Sequence, residues 1–335
     1  MMKTNALLND MWTTLKNTAR WEISSSILRG FESAISNAYR YAQDLNASLN
    51  DIRIVTGYNT DKMAEFAVEA NNAAKALSTT TTNYTNASLI YFQQGLSDAE
   101  VKERTDVTIK MANVSRESAQ TVSDQMTSVW NNFADGSHTL EYYADVMTAL
   151  GAATASSTKE IAAGLEKFAS IGKTIGLSYE YATSVVATII DKTRQSADVV
   201  GTGLRTIFSR LQGLSLGETL EDGVNLNKYS AALKAVGVDI LDASGNMRDM
   251  DAVLESLAGK WKNLSTAQKT ALAQTVGGVR QYTMLISLMD NWDSMERNLS
   301  TANTSAGMLQ KQQEIYAESW EAASERSKAA LEGLY

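Results

Sequence analysis

A chain of 335 residues, 44% of them hydrophobic and 20% charged, can bury a core and is not globally disordered. Its net charge of −8 argues against nucleic acid or an anionic membrane as the main partner, and the lack of any cysteine excludes disulfides and thiolate metal sites. Proline is also absent, where an average usage of about 5% predicts roughly 17; because proline costs about 3 kcal/mol inside a helix, such a chain reads as mostly helix.

The N-terminus, MMKTNALLNDMW, lacks the long apolar core of a signal peptide. From Leu7 to Val55 the only glycine is Gly30. Within that stretch Ile27, Phe31, Ala34, Ala38, Tyr41, Leu45, Ser48 and Ile52 step by alternating fours and threes, the spacing of a coiled-coil seam. One long amphipathic helix lying on its own domain fits the same spacing, as does a seam against a partner helix. Gly57 is expected to stop this helix and Thr60 to cap the next, whose face is Met63, Phe66, Ala67, Ala70, Ala74 and Leu77. The run STTTTNYTN reads as a polar break, since β-branched threonines disfavour helix.

Ser97 with Glu100 forms a capping box opening a helix with Val101, Val107, Met111 and Val114 inside. Ala119, Val122, Met126, Val129 and Phe133 make the next stripe, Asp135–Ser137 a turn, and Gly151 is expected to end the helix after Leu150. A second capping box, Ser157 and Glu160, leads Ile161, Leu165 and Phe168. Gly176 and Ser178 introduce a helix carrying Val185 and Ile189, within the longest apolar run, VVATII, which is far short of the ~20 residues that cross a bilayer. The sequence therefore predicts a soluble chain with no membrane span. Val200, Leu204, Ile207, Phe208 and Leu211 follow.

After Gly213 the texture becomes loop-like, and residues 238–250 predict a small β-hairpin around a Ser-Gly-Asn turn. Helices resume with Val253, Leu254 and Leu257, a third capping box at Ser265 and Gln268, and a long stripe of Val279, Tyr282, Ile286, Met289 and Trp292. From Gln310 a polar helix runs to Tyr335 and stops in mid-pattern, as expected of a piece of a longer chain. The predicted fold is all-α: a multi-helix bundle of about ten short helices, with long helices entering and leaving and one small hairpin. Four parts are expected: a coiled-coil-like N-terminal helix over 1–56, a helical core over 57–214, a helical subdomain with the hairpin over 215–300, and an exit helix over 301–335.

The motifs that suggest chemistry do not assemble into a site. Gly213-Leu214-Ser215-Leu216-Gly217 matches the Gly-x-Ser-x-Gly nucleophile elbow, but a helix precedes it where the elbow needs a strand. The only histidine, His138, lies upstream of Ser215, so the hydroxyl has no downstream base. His138 with Glu141 falls short of the three protein ligands of a zinc site. Gly172-Lys173-Thr174 lacks the earlier P-loop glycine, that position being Lys167. Glu218 with Glu221 and Asp249 with Asp251 read as solvated charge, and Arg205 and Arg210 as partners for the chain's own carboxylates. The sequence assigns no catalytic residue, cofactor or metal, and the candidate functional surface is the seam from Ile27 to Ile52.

Two stretches, GTGLRTIFSRLQGL (201–214) and VDILDASGNMRDMDAVLESLAGKWKNLSTAQKTALAQTVGGVRQYTMLISLMDNWD (238–293), closely resemble the core region of phage tail tape measure proteins. Upstream, LNDIRIVTGYNTDKMAEFA and ALSTTTTNYTNASLIYFQQGLSD are similar to the N-terminal part of that region, so the resemblance runs from about Leu49 to Asp293. It implies a non-enzymatic virion component. Such a protein occupies the tail tube lumen during assembly in the host cytoplasm, sets tail length, and leaves ahead of the DNA. The implied partners are the tail tube protein, tail tip or baseplate proteins, tail assembly chaperones and further copies of itself, three or six in number. No direct nucleic-acid binding is expected. Two other readings remain: a membrane-active helical translocator or pore former, against which a mean hydropathy of −0.22 counts, and a cell-wall glycan hydrolase using a carboxylate such as Glu218. As one helix the chain would reach roughly 500 Å, but its glycines and caps predict a folded body.

Overall fold

The structure, a computed structural model, describes residues 38–212, 227–244 and 248–333. Fifteen helices and no strand form among the described residues, which makes the fold all-α. They group into two compact units, one from the described parts of Met1–Asp124 and Leu309–Tyr335, the other from those of Gln125–Met308. The described C-terminal segment thus groups with the N-terminal unit.

The first unit contains α1 (Ala38–Thr56), α2 (Thr60–Leu77), α3 (Thr81–Gln93) and α4 (Asp98–Ser115). The next helix, α5 (Ala119–Phe133), begins in this unit and ends in the other. Alanines at 70 and 74 let α2 approach its neighbours, and Tyr84, Ala87, Ile109 and Ala329 complete that core. Ile52, Tyr91, Phe92 and Val101 form a second cluster. The capping box at Ser97 and Glu100 forms as expected at the start of α4, and Gly57 takes a positive φ after α1.

The second unit continues with α6 (Leu140–Ala153), α7 (Thr158–Thr174), α8 (Tyr179–Thr193), α9 (Ala197–Gln212), α10 (Asn227–Ala235), α11 (Met250–Trp261), α12 (Thr266–Asp290) and α13 (Trp292–Asn303). Helix α8, which carries the VVATII run, is buried on all sides from Tyr181 to Ile190 and packs against α6, α7, α9, α12 and α13. An apolar run too short for a bilayer thus serves as the central core helix. Two of its threonines bond back to the helix itself: Thr183 donates to the Tyr179 carbonyl at 2.6 Å and Thr188 to that of Ser184 at 2.7 Å. The capping boxes at Ser157 and Ser265 both form. No described helix is long and apolar enough to cross a membrane.

Several local expectations are corrected. Asn59 rather than Thr60 caps α2, its side chain accepting from Lys62 N–H at 2.9 Å. The threonine run breaks for only three residues: Thr80 is the N-cap and Thr81 begins α3, because β-branching costs only about half a kcal/mol per residue in a helix and tertiary bonds outweigh it. Gly151 does not end α6, which runs to Ala153; its lack of a side chain instead admits Thr158, whose backbone N would lie 2.5 Å from a Cβ there. Of the hairpin expected at 238–250, residues 245–247 lie outside the described residues; in the rest, Leu241 makes a single β-bridge and Arg248 N–H donates to the Ile240 carbonyl at 2.9 Å, without an extended strand. Val238 and Ile240 are buried in the core rather than paired in a strand. The stripe in α12 is interrupted at Gly278 (φ 69°, ψ 173°), so Val279 is 80% exposed while Met284, Leu285, Leu288 and Met289 are buried. The exit helix expected over 301–335 is interrupted: α13 ends at Asn303, and α14 (Met308–Ala317) and α15 (Trp320–Glu332) follow. Helix α15 packs on α1, α2 and α3.

Candidate functional site

Each residue that the sequence singled out has a structural place or falls outside the described residues. Ser215, Glu218 and Glu221 lie within 213–226, outside them. His138 is exposed and stacks on Tyr142 with 3.8 Å between ring centroids; among the described residues no cluster of His, Cys, Asp and Glu suits a metal. Gly172-Lys173-Thr174 is the last turn of α7, where the Thr174 hydroxyl donates to the Ser170 carbonyl at 2.7 Å. Asp251 accepts from the Ser178 hydroxyl at 2.9 Å, tying the N-termini of α8 and α11, and burial pushes its carboxyl up to about 6. Arg205 is exposed, whereas Arg210 packs against Gly278, where a Cβ would lie 2.2 Å from its guanidinium.

Of the seam, Ile27, Phe31 and Ala34 lie outside the described residues, and Ala38 and Tyr41 are described only as part of the α1 backbone. Leu45 is half-buried, and Ser48 donates to the Thr85 hydroxyl at 2.7 Å. Ile52, with no exposure at all, packs among Tyr91, Phe92 and Val101. The described end of the seam therefore packs within its own unit.

The same unit holds a cavity that no sequence motif announces. Helices α2, α3 and α4, with Tyr58 from the turn before α2, enclose about 320 Å3. Phe66, Ala70, Tyr84, Phe92 and Val101 make its apolar walls. Phe92 meets Tyr58 and Phe66 edge-on, with centroids 5.9 and 5.7 Å apart, an arrangement that aligns positive ring edges with negative faces.

Two tyrosine–aspartate–lysine sets border this cavity. Tyr58 donates a short hydrogen bond to Asp98, and Lys62 donates to the same carboxylate at 2.7 Å. Tyr84 donates to Asp106 at 2.8 Å, as does Lys102, also at 2.8 Å. The bonds from Lys62 and then Tyr58 hold the Asp98 carboxyl below its ordinary value. The bond to Asp98 raises Lys62 in turn. Burial, followed by the Asp98 contact, raises the Tyr58 phenol, and burial and Asp106 raise Tyr84, so both phenols stay protonated donors at neutral pH. Each donor is matched to its neighbour's acceptor, which suits a cleft that binds rather than one that moves protons. The partners stand 40 and 22 residues apart, beyond the reach of any local spacing rule.

A family model described as phage-related minor tail protein matches residues 71–278, from the second half of α2 to the break in α12. No solved structure matches the chain.

Proposed function

The chain belongs to the family of phage-related minor tail proteins, and on that premise we propose that it is a non-catalytic tape measure protein, or a folded part of one. In this reading it occupies the tail tube lumen during assembly, sets tail length and is released before DNA ejection. The observation that carries the reading is the family match over 71–278, to which the resemblance of residues 201–214 and 238–293 to the tape measure core adds the finer identity. Its partners would be the tail tube protein, tail tip or baseplate proteins, assembly chaperones and three or six copies of itself, with the Ile27 to Tyr41 part of the seam as the surface to test for self-contact. The described helices fold back into compact units, so these residues would act as a docked body, and extended helix elsewhere would supply length at about 1.5 Å per residue.

The test is an in-frame deletion in the phage gene, with tail lengths measured by negative-stain electron microscopy. Tails shortened in proportion to the residues removed are expected for a stretch that runs extended. Tails of unaltered length for every deletion that still assembles would reject the ruler role. Incubation of the purified chain with peptidoglycan should release no soluble fragments; release that is lost in a Glu218→Gln variant would make it a hydrolase.

A further inference from the structure

The cleft of the first unit has a charge balance that its own residues leave uneven. Lys62 answers Asp98 and Lys102 answers Asp106. That leaves Glu65 and Glu69, which line the same cavity from one face of α2. Both stand in the field of Lys62, yet among the described residues neither has a hydrogen bond or ion pair. Like charges four residues apart destabilise a helix by about 0.2–0.5 kcal/mol, and Phe66 between them is half-buried in the cavity wall. Two carboxylates above an aromatic and alanine floor form an arrangement that fits a cation with an apolar stem. The Lys62 ammonium already sits 5.0 Å from the centroid of the Tyr58 ring, so this wall accepts positive charge on an aromatic face.

We propose that the cleft between α2, α3 and α4 is a docking site for an arginine or lysine side chain carried on an exposed segment of a partner protein. The methylenes of that side chain would lie along Phe66, Ala70 and Ala73, and its charged head would reach Glu65 and Glu69. A volume of about 320 Å3 lies at the small end of ligand pockets, enough for one or two side chains. Charge complementarity selects the occupant: an acidic segment would meet two carboxylates that no ion pair engages among the described residues, and an uncharged one would leave them as they are. The inference does not depend on whether the chain measures tail length, since it concerns only what this cleft can hold.

The experiment uses the full chain and a neutral-dye-labelled pentapeptide, acetyl-Ala-Leu-Arg-Leu-Ala-amide, followed by fluorescence anisotropy at low salt. Saturable binding is expected, weakened about ten-fold or more in the Glu65→Gln, Glu69→Gln double variant. That variant should melt close to the parent, because the substitutions remove a like-charge pair together with only the weak attraction of two exposed carboxylates to Lys62. Phe66→Leu, which keeps the core filled but removes the ring, should also weaken binding. The idea is overturned if the double variant binds as tightly as the parent, if the peptide with Glu in place of Arg binds equally well, if N-acetyl-arginine amide binds as tightly as the peptide, or if no saturation appears by about 5 mM.

Discussion

Glu332 is only 3% exposed, and its carboxylate accepts Thr81 N–H at 2.5 Å and the Thr82 hydroxyl at 2.7 Å. It therefore supplements the Thr80 N-cap of α3 from α15, satisfying a first-turn N–H, and its negative charge also meets the positive end of the helix dipole. Glu332→Ala would orphan a buried N–H and is expected to cost about 1–3 kcal/mol, read as a lower urea midpoint; an unchanged midpoint would reject the capping role. The glycines of α9 make a contrasting pair. A Cβ on Gly201 would sit 2.5 Å from the Gly164 carbonyl oxygen of α7, whereas one on Gly203 would meet only the tips of Met284 and Gln281. Gly201→Ala should destabilise by about 1–3 kcal/mol, while Gly203→Ala should be near neutral because the helix gains up to about 1 kcal/mol from replacing glycine. Equal effects in thermal melts would contradict this account.

Two elements of the second unit meet through one titrating group. Asp251, in the first turn of α11, accepts from Ser178, the N-cap of α8. Burial raises its carboxyl from an ordinary 3.8 to about 6. Between those values the folded chain holds a proton that the unfolded chain has released, so this group's contribution falls as pH rises from 4 to 6 and is level above that. Allowing for its partial exposure, the effect is about 1 kcal/mol. The difference in melting temperature between the parent and Asp251→Asn should therefore move in favour of the variant over that window; a difference flat with pH would reject it. At the break in α12, Arg210 of α9 occupies the space a side chain on Gly278 would need. The positive φ there is one that L residues rarely adopt.

At the scale of the whole molecule, the chain's last helices close its first unit. Gln313 of α14 donates to the Leu77 carbonyl at 2.9 Å, Arg326 of α15 to the Ser78 hydroxyl at 2.6 Å, and Asn71 reaches back to the Ala329 carbonyl at 2.7 Å. Ala329 itself lies in the core with Ala70 and Tyr84. Truncation after Met308 should therefore strip amide protection from α2, α3 and α4 while α7 and α8 keep theirs, as hydrogen exchange would read. Protection retained in α2 to α4 would show that the C-terminal helices are dispensable for that unit.

What the sequence determined by itself was local. Ser97 with Glu100, Ser157 with Glu160 and Ser265 with Gln268 each start a helix as read, because a capping box is a bond between residues three apart. The stripe of Val122, Met126 and Val129 is buried as its period requires, and the absence of proline foretold the all-α class. Tertiary structure alone decided where glycine and threonine depart from their usual meanings. Gly151 continues a helix to admit Thr158, Thr81 begins one under Glu332, and Gly278 breaks one beside Arg210. The cleft of Tyr58, Glu65, Glu69 and Asp98 belongs to the same class. Its residues come from three helices and a turn, and only packing brings them together. Propensity differences of a few tenths of a kcal/mol per residue yield to contacts worth more than that, and those contacts join positions far apart in the chain.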